Sequence, residues 1–397
     1  VTEPDYGVVL TGADRQFRDE VRGFLATALT SDVRVQGRDE MDRLSRMRLW
    51  QRRLHDADLA AISWPSEFGG RAATPVQQLI FNAEMAAAHA PEPINRSAVN
   101  QLGPTIIQWG TDEQRQRYLP KILSGDEVWC QGFSEPDAGS DLAALKTRAE
   151  IHGEELVITG QKVWTSKAQY ADWIYILART DPTADKHQGI SYILVPLRTS
   201  GIEVRPIRQI TGQAEFNEVF FDSVRVPLDN VLGPLHGGWR VAKSTLGYER
   251  VGQSRTHRIE RRLAILIKMA QEQGALGHEG CGDGYVADRI VGFAARVEAL
   301  RQISAQATAA GVRGVSPGPE ASVAKLLTSE VDQEMANFGL ELTGPGGTLE
   351  RGSAGAANNG NVARSYLLMR AATFGAGTSE VQRNVIAEKL LGLPRDP

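Results

Sequence analysis

The spacing of apolar residues changes period twice along these 397 residues, and that double change limits the architectures open to the chain. From residue 12 to about 125 the spacing is helical. Phe17, Val21, Phe24 and Leu25 recur at i, i+4, i+7 and i+8, and Arg43 to Leu59 keeps the same period. Pro75 to Ala88 and Asp112 to Leu123 resume it after a loop punctuated by Pro65, Gly69 and Gly70. Near Glu127 the period drops toward two. The β-branched runs LVITG, VWTS, WIYILART, ISYILVPL, IEVRPI and NEVFFDSVRVP predict antiparallel β structure up to about Leu232. Gly233, Pro234, Gly237 and Gly238 mark the second change. Helical spacing then returns in a long segment from Trp239, with further helices near 286–310, 319–342 and 379–391. The expectation is an α+β chain of three domains: helical over 1–126, β over 127–235 and helical over 236–397. A chain of this length exceeds what one hydrophobic core usually spans.

Composition removes several classes of function. The apolar fraction of 42% and charged fraction of 23% are ordinary for a globular protein, and no apolar run of about 18 residues is present to cross a bilayer. The N-terminal stretch has neither the basic nor the apolar region of a secretory signal, so a cytoplasmic location is expected. Two cysteines, Cys130 and Cys281, are too few for a disulfide framework and lack metal-ligand spacing, so no metal is expected and each reads as a buried thiol. A formal net charge of −4 gives no footprint for nucleic acid. The one dense basic stretch, Arg255 to Arg262, reads as a solvated or subunit-facing helix face.

Two segments carry candidate chemistry. Gln131 to Asp141, QGFSEPDAGSD, is rich in Gly, Pro and small hydroxyl residues, so its backbone N–H groups can approach a flat or anionic ligand closely; a plain surface turn has the same composition. Gly160 to Ser166, GQKVWTS, places an aromatic plane beside two hydroxyls within a strand. That combination suits an isoalloxazine ring, although a tryptophan packed into a β core has the same signature. Near the C-terminus, Ser379 and Gln382 have capping-box spacing, which predicts a helix start just after Gly377 and Thr378.

Read together these segments resemble the acyl-CoA dehydrogenase family. GFSEPDAGSD, GQKVWTS, FFDSVRVPLDNVLG and GTSEVQRNVIAEKLLGLP fall in the family's order, and the likeness extends over nearly the whole chain. The resemblance implies an N-terminal helical domain, a middle β domain and a C-terminal four-helix bundle, with FAD held between the last two and completed by a neighbouring subunit. Gln131, Phe133, Ser134, Gly139 and Ser140 would contact the flavin or its ribityl chain, with Ser140 also reaching the CoA moiety. Trp164, Thr165 and Ser166 would flank the ring system. Thr378 and Glu380 would touch the adenosine or pyrophosphate region, and Gly344 would approach it from a partner subunit.

One departure bears directly on the chemistry. Many family members carry a glutamate immediately before the Gly-Thr of the last motif, where it removes the substrate α-proton; here Ala376 stands at that position. A second arrangement in the family puts the glutamate on the first long helix of the C-terminal domain beside an arginine, and this chain offers Glu249-Arg250 there. Helical spacing places Ala242, Thr245, Gly252 and Thr256 on about the same face as Glu249, a small, uncharged surface on which a desolvated carboxylate becomes a better-matched base. The implied reaction takes the pro-R α-proton to Glu249 and the β-hydrogen as hydride to flavin N5, giving a trans-2-enoyl thioester. The backbone N–H of Ala376 polarises the thioester carbonyl, Arg250 fixes the substrate or the helix, and an electron-transfer flavoprotein or similar acceptor reoxidises the enzyme.

Other departures touch the cofactor. The Arg-x-x-Phe pair that contacts FAD across the family's dimer cannot be placed in GALGHEGCGDGYVADR, Leu340 stands where glutamine is frequent, and ERGSAGAANNG from Glu350 to Gly360 reads as a loose connection. The leading expectation is an active dehydrogenase of a branched, cyclic or otherwise bulky acyl thioester, on CoA or a carrier protein, assembled as a homo- or hetero-oligomeric dimer of dimers. A non-catalytic or half-site subunit of a heteromer, and a flavin oxidase or monooxygenase on the same fold, are the competing readings.

Overall fold

The computed structural model describes residues 6, 8–34, 40–252, 256–276, 284–312 and 318–394, without the side chains of 249–252, 311 and 312. Two compact units result, and the division falls between Glu249 and Arg250.

The first unit begins with helices whose starts are written locally. α1 (Gly12–Ala28) is capped by Thr11, whose hydroxyl accepts from Asp14 N while Asp14 reaches back to Thr11 N at 2.9 Å. Its stripe Phe17, Val21 and Leu25 is buried. α2 (Ser31–Arg34) and α3 (Glu40–Asp56) follow. The same device opens α4 (Pro75–Ala87) with Thr74 and Gln77, and α6 (Asp112–Ser124) with Thr111 and Gln114. Between them a π turn over Ala98–Leu102 runs into α5 (Gly103–Trp109).

Seven strands form one sheet: β1 (Trp129–Gly132), β2 (Arg148–His152), β3 (Glu155–Ser166), β4 (Trp173–Arg179), β5 (Ile190–Pro196), β6 (Ile202–Ile207) and β7 (Phe216–Pro227). The order is β1-β4-β2-β3-β7-β6, with β5 also on β4. The long pairings β3–β7, β4–β5 and β6–β7 are antiparallel as expected, but β1 and β2 each meet β4 in parallel. LVITG and VWTS are one strand, β3, interrupted by bulges in its register with β7. β1 and β2 are strands that the sequence reading did not resolve.

The apolar runs of β4 and β5 are buried on both faces. Alternation sorts them: Tyr175, Leu177, Tyr192 and Leu194 join the helical core around Trp64, Leu102, Ile106 and Leu119, whereas Ile174, Ile176, Ile193 and Val195 pack within the β layer. The helical core closes on a glycine. A Cβ at Gly103 would lie 1.9 Å from Trp64 Cζ2, and the indole is held in place by its N–H to Val99 O at 2.9 Å. After β7 the chain enters α7 (Gly238–Gly252), whose Val241 and Ala242 belong to the same core.

In the second unit α8 (Thr256–Glu272), α9 (Gly284–Val312) and α10 (Glu320–Thr343) share one core. Ile259, Leu263, Leu266 and Ala270 of α8 meet Ile290, Phe293 and Val297 of α9 and Val331, Met335 and Phe338 of α10. α11 (Asn361–Met369) and α12 (Ser379–Val385) pack against α10. The basic stretch is solvated only in part: Arg258 and Arg261 are exposed, but Arg258 and Arg262, one turn apart, both pair with Asp332, which is 0% exposed. Burial of the Asp332 carboxylate explains the inward turn, because it requires cations beside it. Arg255 and Cys281 lie outside the described residues, and Cys130 is a buried thiol whose pKa burial pushes up. Among the described residues no helix is long and apolar enough to cross a membrane.

Gly103→Ala forces overlap with the Trp64 ring and should cost about 1–3 kcal/mol or more. Its denaturant midpoint, compared with that of wild type at equal slope, checks this.

Candidate active site

The first two motifs are joined by a buried ion pair. Lys162 of β3, 0% exposed, donates to a Glu135 carboxylate oxygen at 2.7 Å and to Phe133 O at 3.1 Å. Glu135, 7% exposed, also accepts from Lys146 N at 2.6 Å and Thr147 N at 3.0 Å. Burial pushes the Lys162 ammonium down to about 8 against the pull of Glu135. For Glu135 burial acts upward, but the charge and hydrogen bond of Lys162 and the donors at Thr147 and Lys146 leave its carboxyl below the ordinary range. The loop therefore has a defined shape. A Glu135–Ala138 bridge closes the turn, and Val163 N donates to Ser134 O at 2.9 Å.

That frame sorts the loop's candidate residues. Phe133 is core: its ring meets Tyr175 and Tyr192 edge-on at 5.8 and 5.7 Å, so a ligand would find only its backbone. Gln131 belongs to β1, and its side-chain oxygen accepts from the Tyr175 hydroxyl at 3.2 Å. Ser134 is half-buried, whereas Gly139 and Ser140 are exposed on the loop.

Trp164 is not a core residue. The register shift between Lys162 and Thr165 coincides with φ of +59° at Trp164, and the indole stands 58% exposed with its ring edge-on to Phe216. A left-handed tryptophan costs roughly 1–2 kcal/mol, a strain that occurs most often at functional sites. Ser166 is exposed beside it, while Thr165 is buried. Behind the indole, Thr165 Oγ1 and Asn217 Oδ1 are buried with no hydrogen-bond partner.

α7 is fastened to the sheet at its start. His236 N donates to Ser191 Oγ at 2.9 Å, and a Cβ at Gly238 would lie 2.4 Å from the Ser191 carbonyl carbon. Ala242 and Thr245 are buried on the inner side of the helix. The backbone of Glu249 and Arg250 continues α7, but their side chains lie outside the described residues. Thr256 opens α8 and is not on the α7 face to which the sequence spacing assigned it.

In the second unit Ala376 and Gly377 both have positive φ, 54° and 85°. The Ala376 N–H has no backbone acceptor among the described residues. The helix start follows, but its cap is Thr378, not Ser379: Val381 N donates to Thr378 Oγ1 at 3.2 Å. Adjacent hydroxyl residues make the two registers equivalent in sequence. Gln382 does not complete a box; its amide donates to Gly377 O at 3.4 Å and lies 2.5 Å from where a Cβ on Gly377 would be. Ser379 Oγ and Gln382 Oε1 are buried without partners. The Glu380 carboxylate is exposed, and hydrogen bonds from its own N–H and the Thr378 hydroxyl hold it below the ordinary range. Gly344, with φ of 55°, terminates α10. The Glu350–Gly360 connection has its own order, with Asn358, Asn359 and Gly360 successively left-handed before α11. Arg289 faces the rings of Tyr285, Phe293 and Phe338, while 277–283 lie outside the described residues.

Three domain models match the chain in order: acyl-CoA dehydrogenase N-terminal domain over residues 11–126, middle domain over 130–224 and C-terminal domain over 236–391. Acyl-CoA dehydrogenase IpdE1 of Mycobacterium tuberculosis is 40% identical over 392 residues, spanning 96% of this chain and 98% of its own. A solved structure titled Tcur3481-Tcur3483 steroid ACAD is 33% identical with a TM-score of 0.85, covering 99% of this chain and 100% of that one. The ChsE4-ChsE5 complex from Mycobacterium tuberculosis matches at 33% identity and a TM-score of 0.82, covering 98% of this chain and 100% of that one. The chain belongs to the acyl-CoA dehydrogenase family. It is an FAD-dependent oxidoreductase acting on acyl-CoA.

The residues present fit the flavin cofactor. In the first unit, the exposed indole of Trp164 offers a flat aromatic wall, and the unpartnered buried atoms of Thr165 and Asn217 are the kind of polar group that a ligand or bound water completes.

Lys162→Met leaves Glu135 buried without its cation, at a cost of about 3–5 kcal/mol. Denaturant titration should show that loss together with faster FAD release, and the pair Lys162→Met with Glu135→Gln should be milder than Lys162→Met alone.

Proposed function

We propose that the enzyme α,β-dehydrogenates the CoA thioester of a bulky cyclic, steroid-type acyl group, with Glu249 as the base that removes the α-proton. The observation that carries this reading is the pairing of Ala376, which has no proton-accepting side chain, with a glutamate on α7, a helix anchored into the core of the first unit. Gly375 and Ala376 present little bulk, which suits a wide acyl group, and a 33%-identical solved structure is titled a steroid ACAD.

Proton abstraction from a thioester α-carbon needs the carbonyl polarised, since that carbon is a weak acid. The backbone N–H of Ala376 fills this role, because losing the glutamate side chain leaves the amide in place. A preorganised donor of this kind contributes about 3–4 kcal/mol. Arg250 and Ser140 bind the thioester, the latter at its CoA end. When bound, FAD supplies at flavin N5 the acceptor for the β-hydrogen as hydride. Gln131, Ser134, Gly139, Trp164, Thr165 and Ser166 hold it from the first unit, with Phe133 contributing backbone only. By resemblance, Thr378 and Glu380 would contact its adenosine or pyrophosphate portion, and Gly344 would approach it from a partner copy. An electron-transfer flavoprotein takes the electrons onward.

A second reading is a half-site subunit of a heteromeric dehydrogenase. The titles of two neighbours, Tcur3481-Tcur3483 and ChsE4-ChsE5, each name two chains, and that observation favours it.

Anaerobic bleaching of the flavin by isobutyryl-CoA, cyclohexanecarboxyl-CoA and a steroid side-chain acyl-CoA separates the two. The bulky cyclic thioesters should bleach the wild-type enzyme, and Glu249→Gln should slow bleaching about 10²–10⁴-fold, the usual worth of a general base. Equal rates for wild type and Glu249→Gln would reject the base. A chain that retains flavin only when produced with a second subunit supports the heteromeric reading.

A further inference from the structure

We propose that Thr105, on α5, is a positioning residue for the catalytic carboxylate: its hydroxyl fixes the place of α7 and thereby of Glu249. The inference rests on Glu249 being the base.

α7 is joined to α5 by a polar seam. Thr105 Oγ1 and Thr245 Oγ1 lie 2.9 Å apart, Trp109 Nε1 donates to Ser244 Oγ at 3.0 Å, and the Tyr248 hydroxyl donates to Gln108 Oε1 at 3.3 Å. Both threonines are 0% exposed, so water cannot replace a lost partner. Proton accounting orders the contact. The Thr105 hydroxyl gives its single proton to Gln101 O at 2.7 Å, in the π turn that precedes α5. With that proton spent, Thr245 is the better donor of the 2.9 Å bond, since its other acceptors, Val241 O and the Tyr192 hydroxyl, lie farther off at 3.4 Å. Thr245 Oγ1 also lies 3.4 Å from the Tyr192 hydroxyl of β5, so three elements meet at one atom.

Glu249 is four residues beyond Thr245, one turn along the same helix face and about 6 Å along the axis. The intervening turn contains Gly247, whose Cβ position has nothing within 4 Å. A helix-interior glycine whose side-chain direction is open is a weak point compared with alanine. The Thr105–Thr245 and Gln108–Tyr248 bonds straddle it. Apolar contacts tolerate sliding along a helix axis, whereas a hydrogen bond pins donor and acceptor within a few tenths of an ångström. Thr105 thus pins the segment that presents the base, and a misplacement of about 1 Å at a reacting group can cost about 10²-fold in rate.

The test uses the FAD-loaded enzyme with Thr105→Val, which keeps shape and removes the hydroxyl, and Thr105→Ser, which restores it. Amide hydrogen exchange over residues 246–252 should rise about tenfold in Thr105→Val and return to the wild-type rate in Thr105→Ser, with β4 and β5 unchanged in both. Using the CoA ester that bleaches wild type fastest, the acidic limb of the pH–rate profile should move in the valine variant and recover in the serine variant. Unchanged exchange over 246–252 in Thr105→Val overturns the proposal, as does an equal loss of protection across β4 and β5. A loosened segment with an unmoved acidic limb overturns its catalytic part. The exchange arm needs no substrate, so it stands apart from the failure of Glu249 as base, which the Glu249→Gln comparison reports.

Discussion

A lysine ammonium with no solvent exposure has to be neutralised or deprotonated, and Lys162 meets that constraint with the carboxylate of Glu135. The attraction between them ties a loop to a strand. Glu135 spends its remaining lone pairs on Lys146 N and Thr147 N, which fixes where the loop re-enters the sheet as β2. Lys162 also takes Phe133 O, which fixes where the loop leaves β1. Everything the loop offers a ligand, from Ser134 to Ser140, is suspended between those two anchors. Two residues beyond Lys162 comes the left-handed Trp164, so one buried charge fixes both the loop and the strained, exposed indole. Such a pair contributes little net stability compared with apolar packing of the same volume. Its contribution is to exclude other loop conformations.

The helical parts of this fold are legible in sequence because their signals are local. Thr11, Thr74 and Thr111 each cap a helix with a partner three residues on, and the expected Pro75–Ala88 and Asp112–Leu123 segments differ from the observed helices by a single residue. The sheet is less legible for a physical reason. β1 and β2 are short and take their identity from β4 and β3, and the bulge in β3 breaks the alternation that would reveal one strand. Lys162 inside a strand, like Arg258 and Arg262 on a helix, reads as surface, because sequence shows a charge but not the buried partner that receives it. At Thr378 and Ser379 two hydroxyl residues stand side by side, and only backbone geometry distinguishes the cap from its neighbour.

The candidate site divides the same way. Motif order brought out Trp164, the Ser134–Ser140 loop and the Ala376–Thr378 turn, all of which stand at loops, bulges or helix ends in the structure. It did not reveal that the Phe133 ring is committed to the core, nor that the Thr105 and Thr245 hydroxyls meet. Those contacts join residues far apart in sequence and follow no periodicity.

The pairing of β3 with β7 has a consequence for how the chain reaches this state. Glu155 lies opposite Pro227 and Ser166 opposite Phe216, so the strands β4, β5 and β6 are all contained in the loop that this ladder closes. Loop-closure entropy is lost before those contacts reward it, so the ladder forms late relative to the locally capped helices. Until it does, the doubly buried runs of β4 and β5 stand open to solvent and to other chains. One face of those runs, Tyr175, Leu177, Tyr192 and Leu194, is covered by the helical layer, so docking of that layer shields it independently of the β3–β7 ladder.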